Sequence, residues 1–241
     1  MDRRKFLKAG ALISAGTCAY GLPLLTGFKS TSASESGGNR WGMVVDLNKC
    51  VPGCTACVDA CRKENNVGYY GDPDYDIYWI RKVTIKSKHT ARPVEKAVPL
   101  LCNHCDDPPC ALVCPVKATY KRPDGIVIVD KHRCIGCRYC VVSCPYNERY
   151  FNFEENPEWP NPDYPKRSHG VAESCNFCAH LVDKGKMPAC VAACEQIGHR
   201  ALRFGNLNDP NSEVAALIHD NSVKRLREGL GTEPKVFYIG L

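Results

Sequence analysis

The chain has 241 residues, enough for one ordinary domain or two small ones. Seventeen of them are cysteines, far above ordinary usage in a chain too long to be a disulfide-stapled miniprotein. The formal net charge of +6 lies mostly in residues 1–33, where five basic side chains face one acidic one, so the rest of the chain has no basic stripe of the kind that binds nucleic acid.

Residues 1–33 have the pattern of a twin-arginine export signal. Arg3 and Arg4 precede a modestly hydrophobic stretch at 9–25, whose three glycines and one proline suit a signal better than a permanent membrane helix. We expect export of the folded protein to the periplasmic (outer) face of the cytoplasmic membrane; an uncleaved amphipathic helix is the alternative. Cys18 is interpreted as an ordinary apolar residue of this signal, and residues 34–39 as a flexible linker.

The predicted fold begins with a short strand at 41–47, which leads into the first cysteine group. This group has the spacing C-x3-C-x2-C-x3-C and consists of Cys50, Cys54, Cys57 and Cys61. Because Cys57 and Cys61 are four residues apart, we expect both on one face of a short helix. A tyrosine-rich insertion follows at 68–98, with a strand predicted at 78–85.

Two further cysteine groups flank a short predicted hairpin. The second group has the spacing C-x2-C-x4-C-x3-C-P and consists of Cys102, Cys105, Cys110 and Cys114. Residues 120–129 then predict two short strands around the turn Pro123-Asp124-Gly125. The third group has the spacing C-x2-C-x2-C-x3-C-P that is typical of bacterial ferredoxins, and consists of Cys134, Cys137, Cys140 and Cys144.

The last third of the chain contains a loop, the fourth group and a C-terminal extension. Residues 150–169 are rich in proline and aromatic residues and predict an ordered loop, which either contacts a partner or is simply solvated. The fourth group has a spacer of eleven residues between its second and third members, and consists of Cys175, Cys178, Cys190 and Cys194. Beyond it we expect a strand at 201–204, helices at 208–218 and 223–230, and a final strand at 235–241.

The cysteine spacing favours iron–sulfur clusters over other uses of thiols. Thiolates select iron–sulfur clusters, zinc or Cu(I). Structural zinc sites use pairs of C-x2-C separated by longer loops, and regular cysteines this close together make poor disulfide scaffolds. Because all four groups are complete, we expect four [4Fe–4S] clusters and no three-iron cluster. His104 and His180 lie beside cysteines, and we interpret both as non-ligands.

The ferredoxin spacing predicts which cysteines share a cluster. In ferredoxins, the first three cysteines of such a group bind one cluster and the fourth binds the cluster of a partner group. Groups two and three are joined by the short hairpin and form one pair, which leaves groups one and four as the other. Four centres follow, each a predicted ligand set: centre A (Cys50, Cys54, Cys57, Cys194), centre B (Cys61, Cys175, Cys178, Cys190), centre C (Cys102, Cys105, Cys110, Cys144) and centre D (Cys114, Cys134, Cys137, Cys140).

The predicted fold class is α+β, with two ferredoxin-like lobes made of short strands, short helices and large loops, one lobe inserted into the other. The predicted ranges are a signal at 1–33, a linker at 34–39, one lobe at 40–67 plus 170–205, the inserted lobe at 99–149, interface insertions at 68–98 and 150–169, and a helix and strand extension at 206–241. The chain shows no nucleotide-phosphate loop and no nucleophile–base constellation, so we expect an electron-transfer protein that is not catalytic alone.

In this order the four groups resemble the ferredoxin-type subunits of membrane-bound molybdopterin oxidoreductases and of complexes with an NrfD-type membrane partner, over residues 40–241. The twin-arginine segment, residues 40–46, Gly53-Cys54 and residues 64–67 are similar to iron–sulfur subunits of the DsrO type, from the membrane complex of sulfate reducers associated with dissimilatory sulfite reductase. The resemblance implies a multi-span, quinone-interacting NrfD-type subunit, a multiheme cytochrome c, and a cytochrome b with a heterodisulfide-reductase-like subunit as partners.

Three functions stay open from the sequence. The first is an electron-transfer subunit that exchanges electrons with the quinone pool through a membrane partner, in respiration linked to sulfite or sulfate reduction. The second is the electron-transfer subunit of a molybdopterin reductase that acts on polysulfide, tetrathionate or dimethyl sulfoxide. The third, of another class, is a free soluble polyferredoxin, against which the two long insertions argue.

Overall fold

Both ends of the folded chain contribute strands to one four-stranded sheet. The computed structural model describes residues 38–86, 95–156 and 158–241, so the predicted signal at 1–33 and most of the predicted linker lie outside the described residues. The strands and helices, in chain order, are β1 (Trp41–Asp46), α1 (Ala56–Asn65), β2 (Ile80–Lys86), β3 (Glu95–Leu101), α2 (Pro109–Leu112), β4 (Thr119–Lys121), β5 (Val127–Val129), α3 (Tyr139–Ser143), β6 (Tyr150–Phe151), β7 (Ala172–Glu173), α4 (Ala179–Val182), α5 (Ala189–Gln196), β8 (Leu202–Asn206), α6 (Glu213–Asp220), β9 (Val223–Arg225) and β10 (Val236–Ile239). Within these described ranges, no helix combines the length and the apolar character that crossing a membrane requires.

Strand β1 is an inner strand of the main sheet, whose strand order is β8-β1-β10-β9. It pairs antiparallel with β8 and parallel with β10. Successive side chains of a strand point to opposite faces of the sheet. Met43 and Val45 therefore pack into the largest core cluster, whereas Val44 joins a second cluster with Val214 of α6. All three are fully buried, so both faces of the sheet are covered.

The prediction of one helix over 223–230 is wrong. Val223–Arg225 is strand β9, which pairs antiparallel with β10, and a short 3-10 helix follows at Glu228–Leu230. The pairing satisfies backbone groups of β10, and Val223 packs against the core cluster that contains Val44. These tertiary contacts outweigh the local preference of the segment for a helix.

The insertion at 68–98 contributes to a β-hairpin, of which only the first strand was predicted from the sequence. Strands β2 and β3 pair antiparallel, with Lys82 opposite Pro99. The sequence placed a strand at 78–85 but none at 95–101, where the proline argues locally against one. Val98 and Leu101 are buried in the largest core cluster, so the hairpin is part of the packed structure.

The α+β class is confirmed, since the fold mixes short helices with small sheets. Residues 37–241 form one compact unit. Its largest core cluster contains Met43 and Val191 from the predicted outer lobe and Leu101 and Ile126 from the predicted inserted lobe. The predicted lobes therefore share a core. The predicted C-terminal extension enters that core as well, through Tyr238 of β10.

A buried asparagine just after α1 makes three hydrogen bonds to the loop at 150–169. Asn66 has φ of 51°, in the left-handed region, and its side chain is fully buried. Its amide nitrogen donates to the carbonyl oxygens of Asn161 and Tyr164, both at 2.9 Å, and its side-chain oxygen accepts from the backbone N–H of Asn161 at 2.8 Å. The side chain of Asn66 thus pairs with three backbone groups of this loop.

Replacing Asn66 with alanine is expected to lower the free energy of unfolding by about 3 kcal/mol. The change leaves three backbone groups without their partner, each worth about 1 kcal/mol or more when buried, and alanine tolerates the left-handed region less well than asparagine. Denaturant unfolding of the cluster-loaded protein without oxygen measures the loss. The control is Asn208→Ala, which removes one exposed hydrogen bond to Gly38 and should change stability by less than about 0.5 kcal/mol. Equal unfolding midpoints for the two variants would refute the anchoring role.

Candidate metal centres

Two small cavities are each lined by cysteines from two different groups. One is lined by all four cysteines of centre A: Cys50, Cys54, Cys57 and Cys194. The other is lined by all four cysteines of centre D: Cys114, Cys134, Cys137 and Cys140. In each cavity, three cysteines belong to one group and the fourth comes from the partner group.

The thiols of centre B also come from two groups, and they are deeply buried. Burial raises the pKa of the Cys190 thiol well above its ordinary value, and negative charge on Cys178 and Cys61 raises it further. Burial likewise raises the pKa of Cys175, with Cys61 as the largest charge contribution. Cys61, from group one, therefore lies among the thiols of group four.

Centre C shows the same arrangement. Burial raises the pKa of the Cys105 thiol to about 11, a hydrogen bond with Thr232 lowers it, and negative charge on Cys110 and Cys144 raises it. Burial also raises the pKa of Cys102, and Cys110 and Cys144 again contribute. Cys144, from group three, thus lies beside the first three thiols of group two.

Short helices distribute their cysteines between neighbouring centres. Helix α1 carries Cys57 of centre A and Cys61 of centre B, and α5, which packs against it, carries Cys194 of centre A and Cys190 of centre B. Residues four apart on a helix lie one turn apart on the same face. Each helix therefore serves two adjacent centres. Helices α2 and α3 also pack together, with Cys110 of centre C on α2 and Cys140 of centre D on α3.

Backbone N–H groups point at several of the sulfur atoms. The N–H of Ala118 donates to Cys114 Sγ at 3.1 Å, that of Ala201 to Cys194 Sγ at 3.3 Å, and that of Phe177 to Cys175 Sγ at 3.4 Å. Such bonds favour the thiolate, which is the form that binds iron. Donor chemistry and geometry therefore fit iron–sulfur clusters.

The described cysteines are not arranged to bind a single metal ion. Within 38–86, 95–156 and 158–241, no three or more His, Cys, Asp or Glu side chains are placed to hold a single metal ion. A four-iron cluster binds each thiolate to a different iron, so its ligands stand farther apart than those of one zinc ion, which binds sulfur at about 2.3 Å.

A different polar side chain accompanies each of centres A, B and C. Lys82 lies at centre A, where its Nζ donates to the carbonyl oxygen of Cys54 at 2.7 Å. Asn65 lies at centre B and donates to Cys178 Sγ at 3.4 Å, and Arg149 lies at centre C and donates to Cys110 Sγ at 3.1 Å. None of these three roles was predicted from the sequence. Only Asn65 carried a signal, since it lies four residues after Cys61 and hence on the same helix face.

The two histidines beside cysteines have other partners. Burial lowers the pKa of His104 well below its ordinary value, and its Nδ1 accepts from the backbone N–H of Val127 at 3.0 Å. Its ring stacks on Phe177 with a centroid distance of 3.7 Å. His180 Nε2 lies 2.8 Å from Glu64 Oε1. The His104–Phe177 contact joins the loop of group two to that of group four, and so links centre C to centre B.

Glu148 is a buried carboxyl beside the centres, and it predicts a pH dependence. Burial raises its pKa to about 7, although Arg81 Nη2, at 2.8 Å, lowers it. The unfolded chain loses this proton near pH 4.5, whereas the folded chain keeps it until near pH 7. Stability should therefore fall as pH rises across that interval, by up to roughly 3 kcal/mol.

Replacing Glu148 with glutamine should flatten this part of the stability profile. The measurement is denaturant unfolding of both proteins at matched iron content between pH 5 and pH 8, approximately the titration interval of the carboxyl. The control is Glu158→Gln at an exposed position, which should leave the slope unchanged. A variant that keeps the slope of the wild-type chain would refute the role of Glu148.

Comparison with known proteins gives matches over part and over all of the chain. Residues 93–158, which contain groups two and three, match the family model of a 4Fe-4S dicluster domain. The whole chain is 43% identical to the Hdr-like menaquinol oxidoreductase iron-sulfur subunit 1 of Archaeoglobus fulgidus and covers 98% of it. The whole chain is also 35% identical to the B subunit of the tetrathionate reductase of Salmonella typhimurium and covers 88% of it. Over 83% of its length, the chain is 36% identical to the menaquinone reductase iron-sulfur cluster-binding subunit of Nitratidesulfovibrio vulgaris, of which it covers 88%.

Proposed function

Because the chain belongs to the family of iron–sulfur subunits of menaquinol oxidoreductase and respiratory reductase complexes, we propose that it holds four [4Fe–4S] clusters in centres A to D and relays electrons through them between a quinone-interacting membrane subunit and a redox partner. It is an electron-transfer subunit and not a catalytic one. The clusters supply one-electron chemistry when bound.

The observation that carries the proposal is the exchange of cysteines between groups. Helices α1 and α5 each supply one sulfur to centre A and one to centre B, so these centres must be adjacent. The segments 110–114 and 140–144 likewise each supply one sulfur to centre C and one to centre D, so these two centres must be adjacent as well. The stacked rings of His104 and Phe177 give a packed contact between the two pairs. This arrangement supports a lobe with centres A and B, a second with centres C and D, and one path through both.

An apolar surface beside centre D supports a membrane subunit as the partner. We call it the D face; its exposed side chains are Leu112, Ile135, Tyr139 and Val142. Leu112 is 83% exposed and Val142 87% exposed. Leu112 lies on α2 and Tyr139 and Val142 on α3, which packs against α2, and Ile135 lines the cavity of centre D together with Cys137, which is exposed. Exposed apolar residues on adjoining elements mark interaction sites. An electron can therefore leave centre D directly into a protein bound at this face.

For the complex itself we propose an NrfD-type multi-span subunit and a multiheme cytochrome c, with a cytochrome b and a heterodisulfide-reductase-like subunit. The periplasmic face of the cytoplasmic membrane is the proposed location, supported by the twin-arginine pattern at residues 1–33. The Hdr-like menaquinol oxidoreductase subunit matches the whole chain, which supports a complex that exchanges electrons with menaquinol. Respiration linked to sulfite or sulfate reduction is the proposed setting of this complex. The second candidate is a molybdopterin reductase, favoured by the whole-chain match to the tetrathionate reductase protein.

Capture of the tagged chain from gently solubilised, oxygen-free membranes separates the two candidates. We expect a multi-span subunit and a multiheme cytochrome to come with it, without a molybdopterin subunit. A large molybdopterin subunit in their place would contradict the first candidate and support the second.

The same capture tests the D face. Val142→Glu should reduce recovery of the membrane subunit at least tenfold, because it buries a charge in an apolar contact. Leu230→Glu places the same charge at another exposed apolar position and should leave recovery unchanged. Equal recovery with both variants, at wild-type iron content, would refute the assignment of this face.

A further inference from the structure

Arg149 is a buried cation with no anionic side chain to pair with among the described residues other than cysteine thiolates. It is 3% exposed and lies just before β6. Its only described hydrogen bond is the one from Nη2 to Cys110 Sγ at 3.1 Å. Its Nε and Nη1 have no partner within the described ranges. Burial lowers the pKa of this guanidinium, whereas negative charge on Cys110, Cys102, Cys140 and Cys144 raises it.

A second buried arginine, Arg167, has its charge neutralised by a carboxylate. Arg167 is nearly as buried as Arg149, but its Nε donates to Glu173 Oε1 at 2.8 Å, and Glu173 also accepts from the indole N–H of Trp79. Arg167 and Glu173 together carry no net charge. An unpaired buried charge costs several kcal/mol, so a folded protein keeps one only where a counter-charge faces it. At Arg149 that counter-charge comes from three thiolates of centre C and from Cys140 of centre D.

We propose that Arg149 raises the reduction potential of the cluster at centre C. This inference rests on the proposed ligand set of that centre. The guanidinium is permanently charged, and a four-iron cluster with four thiolates carries about −2 when oxidised and about −3 when reduced. The buried cation therefore stabilises the reduced state more than the oxidised one. Reduction adds one electron from the neighbouring cluster, breaks no bond, and needs no proton for compensation because Arg149 already supplies the charge.

Centres A and B lack such a charge among the described side chains. Asn65 at centre B is neutral, and Lys82 at centre A is only half-buried, so water screens its charge. Centre D faces Arg149 through Cys140 alone, and its described hydrogen bonds come from the backbone N–H groups of Ala118 and Ala172. Because Arg149 donates to Cys110 Sγ and faces three thiolates of centre C but only one of centre D, it should raise the potential of centre C the most.

The test is a redox titration followed by electron paramagnetic resonance, on the whole protein loaded with clusters. The midpoint that disappears in Cys105→Ala identifies centre C. In Arg149→Met that midpoint should fall by at least a tenfold change in the reduced-to-oxidised ratio, which is 59 mV for one electron. Arg149→Lys keeps the charge and should retain most of the potential. Arg133→Met removes an exposed cation one residue from Cys134 and should shift every midpoint by much less.

The outcomes separate the possible roles of this side chain. An unchanged midpoint in Arg149→Met, at wild-type iron and sulfide content, overturns the proposal. Where Arg149→Met does not fold, Arg149→Gln decides, because it offers Cys110 Sγ a neutral N–H: a wild-type midpoint there overturns the proposal, and a fall of tenfold or more supports it. A wild-type chain without labile sulfide would instead refute the proposed function itself.

Discussion

Replacing Cys194 with alanine is expected to remove the cluster of centre A and to leave that of centre B in place, although Cys190 and Cys194 lie one turn apart on α5. Cys194 lines a cavity with Cys50, Cys54 and Cys57, whereas Cys190 lies among the thiols of Cys178 and Cys61. Iron and labile sulfide should fall by about a quarter, since one of four clusters is lost. Electron transfer through the chain should fall to background, because a missing cluster interrupts the path.

Double variants turn this expectation into a test of which cysteines share a cluster. Cys50→Ala with Cys194→Ala should lose no more iron than Cys194→Ala alone, because both residues belong to centre A. Cys190→Ala with Cys194→Ala should lose twice as much, because two centres are damaged. If each cluster instead used the four cysteines of one group, the first pair would cost two clusters and the second pair only one.

Replacing Asp106 with asparagine is expected to lower the free energy of unfolding by about 3–5 kcal/mol, as removal of one partner from a buried ion pair does. Lys235, just before β10, is completely buried, and its Nζ lies 3.0 Å from Asp106 Oδ1 and 2.6 Å from the carbonyl oxygen of Gly125. Asp106 also pairs with Arg40. Without its carboxylate, the buried ammonium keeps only a neutral acceptor. The pair ties the C-terminal strand to the loop of centre C.

The reverse substitution should cost much less. In Lys235→Met, Asp106 keeps Arg40 and lies 3.8 Å from Lys121 Nζ, so no buried charge is left alone. The double variant Asp106→Asn with Lys235→Met should recover most of the stability lost by Asp106→Asn. Denaturant unfolding at matched iron content measures all three. An Asp106→Asn variant no less stable than Lys235→Met would show that the buried lysine does not depend on this carboxylate.

Cysteine spacing carried most of the information about the site. The four-residue step from Cys57 to Cys61 is local, and it places two sulfurs on one helix face without any tertiary knowledge. The structure brings together the cysteines that this reasoning paired, including Cys194 with Cys50, which lie far apart in the chain. Spacing works here because three of the four groups are short, regular runs, and each half of the fourth keeps a short spacing.

What the sequence did not predict depends on contacts between distant segments. Arg149 lies outside every cysteine group, and nothing in its neighbourhood in the chain indicates that it faces Cys110. The segment at 223–230 has the local character of a helix, but its first three residues form a strand because they pair with β10. Strand β3 was missed for a similar reason. Pro99 argues locally against a strand, and only the pairing of β3 with β2 identifies it.

The most direct test of four clusters in one chain is the metal and sulfide content of the protein purified without oxygen, together with its resonance spectrum after reduction with dithionite. We expect about sixteen iron atoms and about sixteen labile sulfides per chain, and a spectrum broadened by coupling between adjacent reduced clusters. A colourless protein that contains zinc and no labile sulfide would contradict this expectation, and so would a chain with iron for only two clusters.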